Sequence, residues 1–169
     1  LCIHVKLGGK LLLANVDLTG TGYCASFNFR RTTRAVTKLF DLALEDAGLR
    51  STQFTILVGV AKAQPICMGA LAELLALDPT TLTRSLRPLQ QDGLLTITDR
   101  GAMRQRFVSL TAKGERTLAK AVPKWRSVQQ QFVSAIGERN WLEFRGELER
   151  LAGVVTGLER PLPQDAVCK

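Results

Sequence analysis

Histidine is almost missing from this 169-residue chain, with His4 the only one. A metal site built from several histidines is therefore excluded within one chain. Cysteine is sparse and unpatterned. Cys2, Cys24, Cys67 and Cys168 are scattered, with no C-x-x-C pair. A disulfide framework or a zinc site needs closer, patterned spacing, so free thiols in a reducing, cytoplasmic compartment are expected. No metal and no cofactor are expected. Long apolar runs are lacking as well. Leu11-Leu12-Leu13-Ala14 is too short to span a bilayer, and Asp17 follows too soon for a signal peptide, so no membrane partner is expected. The chain has no G-x-S-x-G, no H-E-x-x-H, no P-loop, no internal repeat and no low-complexity tract.

Acidic residues are also in deficit. Lys and Arg number 23 against 15 Asp and Glu, a net charge of +8 with a pI near 9.8. Such a balance favours a polyanionic partner, although membrane surfaces and RNA are polyanions as much as DNA is. The length suits a single domain with a real core. The chain begins at Leu1 rather than Met. Residues 1 to about 10 fit no pattern, and are expected to be vector-derived or the product of a shifted start site.

Residues 78 to 114 carry the most information. Asp78 suits an N-cap, where its carboxylate accepts the unpaired amides of the first turn. Pro79 suits the first helical position, where a missing N–H is harmless. Leu82, Leu86 and Leu89 form one apolar stripe. Pro88 is expected to kink the last turn, and Gly93 to end the helix. Opposite the stripe lie Thr80, Thr81, Thr83, Arg84, Arg87 and Gln91. Arg can take guanine bidentately, and a Thr methyl can touch the methyl of thymine. Two strand-like runs follow, 94–97 and 107–110, separated by the Arg-rich loop 99–106. From 79 to 113 there are six Lys or Arg (84, 87, 100, 104, 106, 113) against two acids, 92 and 99. A charged helix face and a hairpin taken singly read as ordinary solvated surface. Cap, stripe, stop, strand and basic loop in this order spell a recognition helix and wing that grip duplex DNA. The DNA-contacting candidates are Thr80, Thr81, Thr83, Arg84, Arg87, Arg100, Arg104 and Arg106.

Around this unit the periodicity predicts further helices. The first runs over about 26–47, capped by Ser26, with Val36, Leu39, Phe40 and Ala43 inward. The second starts at a Ser51 cap and ends near Ala63, with Phe54, Leu57, Val58 and Ala61 inward. A short strand at Pro65-Ile66 precedes a helix over 68–76, with Leu71, Leu74 and Leu75 inward. A long helix starts at Ala112, with Leu118, Val122, Trp125 and Phe132 recurring at helical intervals as a buried face, Pro123 expected to bend or break it and Gly137 to end it. In the last helix Trp141, Phe144, Leu148, Leu151, Val155 and Leu158 recur at spacings of 3, 4, 3, 4 and 3, the seam of helices packing side by side. That stripe suits its own chain or a partner subunit.

The chain resembles the MarR-type transcriptional regulators over about residues 24 to 158. Phe27-Asn28-Phe29-Arg30-Arg31 with Arg34-Ala35-Val36 is similar to that family's first helix, and Gly48 to Phe54 to its turn into the second. Asp99, Arg104, Val108, Leu110, Thr111 and Gly114 fall on a wing pattern ending V-x-L-T-x-x-G. The family often carries an Asp two residues before the wing Arg, where this chain has Ala102. The resemblance implies a mainly α fold with a small β-hairpin wing, a winged helix-turn-helix with N- and C-terminal dimerisation helices. Its limits are an arm over 1–22, one domain over 23–160 and a tail over 161–169. The winged core spans about 51–114, between dimerisation helices over 26–47 and 112–158. It also implies a homodimer, paired through Trp141, Phe144, Leu148, Leu151, Val155 and Leu158, on a pseudo-palindromic operator and acting as a repressor. In this family small aromatic or lipophilic effectors bind between the dimer helices and the winged domain, near Phe27, Phe29, Arg30, Arg31 and Trp125. Some relatives sense organic hydroperoxides through a cysteine near the start of the first helix. Cys24 lies near that place, but alignment of the helix puts Ser26 at the reactive position, and Phe54 stands where those sensors carry tyrosine.

One enzymatic lead exists. Gly20-Thr21-Gly22-Tyr23-Cys24-Ala25 matches G-x-G-x-x-A, and Asp41 follows about twenty residues on, as a nucleotide-binding fold requires. Asp17, Leu18 and Thr19 intervene between the apolar run and the first Gly. Asp41 lies in a helical pattern, and no βαβ alternation follows. Nucleotide binding is therefore the remote alternative, and a non-enzymatic protein is expected.

Overall fold

The computed structural model describes residues 12–13, 16–100 and 105–158. Two short strands, β1 (Leu12–Leu13) and β2 (Val16–Asp17), pair antiparallel. A one-turn 3-10 helix, Thr21–Tyr23, leads into α1 (Ala25–Leu44). Ser26 does not cap α1: the helix begins one residue earlier, with Cys24 at the N-cap and no side-chain cap bond. The α-helix ends at Leu44, short of 47. Residues Glu45–Ala47 tighten into a 3-10 turn, and Gly48, at φ 69°, turns the chain out. A left-handed φ of this kind costs glycine nothing.

Helix α2 (Ser51–Ala63) is capped differently from expectation. Ser51 is its first helical residue, and two side chains satisfy the amides at its start. Gln53 Oε1 accepts from Arg50 N at 2.9 Å, and Asp41 Oδ1 accepts from Ser51 N at 2.7 Å. Asp41 thereby ties α1 to α2. The Ser51 amide holds its carboxyl below the usual carboxylate range, with Arg50 at 3.5 Å adding to the effect. This use of Asp41 leaves no role for it as a ribose ligand. The Gly20 to Gly22 segment likewise forms a 3-10 turn after an antiparallel hairpin, rather than a tight strand-to-helix turn.

The winged core follows: β3 (Ile66–Cys67), α3 (Met68–Leu74), α4 (Pro79–Gln91), β4 (Leu95–Arg100) and β5 (Gln105–Leu110). The strands form one antiparallel sheet in the order β3-β5-β4, with Ile66 and Ile97 both facing Val108 across the ladders. Helices α5 (Ala112–Ile136) and α6 (Glu138–Leu158) complete the fold, mainly α with a small β wing. Leu57, Val60, Leu71, Leu82, Leu86, Leu89, Leu95 and Val108 are fully enclosed between α2, α3, α4 and the sheet. Lys124 on α5 reaches Asp46 at 2.8 Å and fastens α5 to the turn after α1.

Three residues expected inward are exposed: Leu39, Ala61 and Leu74. Helical spacing locates the middle of a stripe but not its edges. On α1 the covered line runs through Val36, Phe40 and Leu44, and Leu39 lies one step, about 100°, beside it. Leu74 ends α3, just before Ala76 turns the backbone at φ 50°. Pro88 and Pro123 break neither helix. The expected tail over 161–169 and the first ten residues lie outside the described residues.

Candidate nucleic-acid interface and adjoining cavity

Helix α4 presents two opposite faces. Leu82, Leu86 and Leu89 are buried, while Thr80, Thr81, Thr83, Arg84, Arg87 and Gln91 are exposed. Its start is fixed by Asp78, whose carboxylate accepts from Thr80 N at 3.0 Å, Thr81 N at 2.9 Å and the Thr81 hydroxyl. Those bonds, the Thr81 hydroxyl first, hold the Asp78 carboxyl below its usual range. The Thr81 and Thr83 hydroxyl protons on this face are already committed inside the helix. Thr83 donates to Pro79 O at 2.8 Å, as Ser85 does to Thr81 O. Thr81 and Thr83 therefore offer an incoming base a methyl group and oxygen lone pairs, leaving donation to Arg84 and Arg87. Neither arginine has a carboxylate partner among the described residues.

The wing extends beside α4. Its strands pair out to Arg100 opposite Gln105, and Arg106, opposite Asp99, is exposed. Arg104 and the Arg100 side chain, two of the expected contacts, lie outside the described residues, as does Ala102.

Behind the winged core, α1, α2, α5 and α6 border an open, largely apolar cavity of about 640 Å³. A chain of aromatic rings lines it. Phe54 stacks on Trp125 with centroids 5.8 Å apart, Phe40 meets Phe132 edge-on at 6.4 Å, and Phe132 meets Trp141 edge-on at 5.4 Å. Of the expected ligand contacts, Phe29 and Trp125 line this space, and Phe27, Arg30 and Arg31 do not. The cavity face of α1 runs through Phe29, Val36 and Phe40. That face reaches as far as Asn28 on one edge; Phe27 and Arg31 are turned to the opposite side of the helix, and Arg30 lies just past the other edge. Phe40, Phe54 and Phe132 were read from the sequence as plain core, and the meeting of their three helices with α6 had no local signal.

The α6 stripe divides. Trp141, Phe144 and Leu148 turn toward the cavity of their own chain, although Phe144 remains 47% exposed. Leu151 is half-buried and Val155 exposed, while the Leu158 side chain is not described. Phe27, Phe29, Leu142 and Val154 add further exposed apolar surface on α1 and α6. Cys24 is exposed and Cys67 half-buried. Among the described residues no group of acids, cysteines and histidines could hold a metal ion. None of their helices is long and apolar enough to cross a membrane.

Comparison with known proteins fits this architecture. The family model described as MarR family matches residues 49–100, from the start of α2 through β4. The transcriptional regulator HosA of Escherichia coli O127:H6 is 33% identical over 89 residues, which cover 52% of this chain and 66% of HosA. Among solved structures, the Mycobacterium tuberculosis transcriptional regulator MosR in complex with DNA is 33% identical with a TM-score of 0.75, over 81% of this chain and 99% of that one. A mutant of the Escherichia coli MarR protein complexed with operator DNA shares the fold, with a TM-score of 0.71 at 18% identity over 80% of this chain and 99% of that one. With a winged helix-turn-helix core flanked by long helices, and a relative of one-third identity matched over nearly its whole length, this chain belongs to the MarR family.

Proposed function

We propose that the protein is a transcriptional regulator that binds double-stranded DNA in a sequence-specific way and acts by binding rather than catalysis. The observation that carries this reading is α4. It is a well-capped helix, buried by one leucine stripe, whose opposite face offers Thr80, Thr83, Arg84 and Arg87 beside a basic wing. The dimensions suit a major groove, with Arg84 and Thr83 at base edges and Arg87 on phosphate. Arg100, Arg104 and Arg106 supply backbone contacts from the wing. The DNA complex of MosR supports the assignment.

The acting form is a homodimer. Residues 23–160 work as one unit, in which the winged core over 51–114 reads a half-site and α1, α5 and α6 hold two copies together. Exposed Phe27, Val154 and Val155 leave apolar surface on α1 and α6 for that pairing. Two recognition helices about 34–36 Å apart demand a pseudo-palindromic operator. A small aromatic or lipophilic effector in the α1, α2, α5 and α6 cavity releases the DNA, and the protein represses from the cytoplasm. The cavity volume lies within the range of small-molecule sites. Exposed Cys24 favours a second reading, release by thiol oxidation.

Sedimentation at micromolar concentration, followed by titration of a duplex selected from a random library, tests the core of this reading. Dimers that bind the selected duplex far more tightly than a random one are expected, and Arg84→Ala is expected to cost about 1–3 kcal/mol and relax base preference. A monomer that binds both duplexes equally would overturn it.

A further inference from the structure

The end of α4 is held by the beginning of α5. Leu94 N donates to Leu89 O at 2.9 Å and Gly93 N to Gln90 O at 3.0 Å, around Gly93 at φ 67°. These are the paired bonds of a Schellman helix end, and they satisfy the carbonyls of Leu89 and Gln90. Just past the helix, the carbonyls of Asp92, Gly93 and Leu94 are all taken by one short segment. Lys113 Nζ donates to Asp92 O at 2.7 Å, the Thr111 hydroxyl to Gly93 O at 2.7 Å, and Thr111 N to Leu94 O at 3.1 Å. The same Thr111 oxygen accepts from Gly114 N at 3.0 Å and so starts α5. Gly114 is buried so close beneath the strand that a Cβ there would sit 1.9 Å from Leu94 O. One threonine thus holds the turn that closes α4 and initiates α5 at once.

We propose that Thr111, assisted by Lys113, is a positioning residue for DNA readout, setting the angle at which α4 is presented by locking its C-terminal end to the first turn of α5. The proposal rests on the reading of α4 as the element that enters the groove. A helix held only by one leucine stripe can rock along it. Arg84 lies eight residues before Asp92, about 12 Å along the axis. A rocking of about 10° about the Asp92 end, which the clasp resists, moves Arg84 by roughly 2 Å, beyond the tolerance of a hydrogen bond to a base edge. Phosphate contacts are less exacting, because attraction to the phosphate backbone does not depend on sequence. The clasp therefore matters for discrimination between sequences more than for adhesion.

The test uses the full chain and two probes, a duplex selected by that chain from a random library and a random-sequence duplex of equal length. Thr111→Val keeps the shape of the side chain and removes both hydroxyl bonds; Thr111→Ser keeps them. Circular dichroism fixes the folded concentration of each variant. Thr111→Val is expected to weaken the selected duplex roughly tenfold, the scale of one or two lost hydrogen bonds, and the random duplex by less than about twofold. It is also expected to blunt the preference for the selected half-site spacing over versions one base pair longer or shorter, with Thr111→Ser restoring both. Equal weakening on both duplexes would reduce Thr111 to a structural residue and overturn the proposal. Arg84→Ala separates the two layers. If it abolishes discrimination while Thr111→Val keeps it, the clasp fails and the reading of α4 stands. If Arg84→Ala leaves discrimination intact, both fall.

Discussion

Arg87 offers a test in which the charge can be removed with almost nothing else. It lies on the exposed face of α4, one turn after Thr83, with no carboxylate partner among the described residues. Arg87→Ala therefore orphans no buried charge, and the stability change is expected within about 0.5 kcal/mol. Binding is different. Each phosphate neutralised on B-DNA contributes about 0.9 to the slope of log affinity against log salt. A homodimer carries Arg87 twice, so the variant is expected to flatten that slope by about 1.8. Between 50 and 200 mM salt the parent then loses roughly twelvefold more affinity than the variant. Anisotropy of a labelled duplex at four salt concentrations reads this directly. Parallel lines, even with reduced affinity, would refute the phosphate assignment, because a base contact costs affinity without releasing counterions. A melting temperature lowered by several degrees would instead place Arg87 in the fold.

Gly114→Ala pushes a methyl into Leu94 O and is expected to destabilise the protein by at least about 2 kcal/mol; an unchanged thermal melt would contradict the close approach of α5 to Leu94. Asp41 has a carboxyl pKa lowered in the fold, so its contribution is complete above the unfolded value of about 3.9 and is lost as pH falls through the folded one. Asp41→Asn is accordingly expected to flatten the acid limb of stability below about pH 4, and an identical limb in both proteins would remove Asp41 from the α2 cap. With an effector as the release signal, substoichiometric organic peroxide is expected to leave DNA binding of the parent and of Cys24→Ser alike; release from the parent alone would transfer the sensing role to the thiol.

Helix α4 was legible because its signals are local. Asp78, Pro79, the leucine stripe and Gly93 lie within sixteen residues, and each does in space what its spacing implies. The two long wing strands were legible for the same reason. The cap of α2 was not, since Asp41 reaches Ser51 from the preceding helix and Ser51 itself looked sufficient. The clasp joins residues about twenty apart through a side-chain amine, a hydroxyl and backbone carbonyls, and carbonyls carry no sequence signature. The cavity needed four helices at once. Periodicity marked Phe40, Phe54 and Phe132 as inward, but inward-facing rings that leave space between them look the same in a sequence as rings that fill it. The exposed Leu39 and Leu74 show the opposite error, apolar residues at the edge of a stripe that its neighbour does not reach.

Helix α5 runs unbroken for 25 residues and carries two of these features on one rod. Trp125, on the cavity wall, lies eleven residues beyond Gly114, about three turns or 17 Å. Over that length a helix transmits tilt far more readily than it absorbs it, and a tilt of about 3° at the cavity displaces the clasp by close to 1 Å. The arrangement also constrains the gene. Any substitution between Glu115 and Lys124 that keeps the helix keeps the phase between wall and clasp. Loss of a single codon there would rotate Trp125 by about 100° against Thr111 and draw it about 1.5 Å closer. This stretch of α5 should therefore tolerate changes of residue identity much better than changes of length.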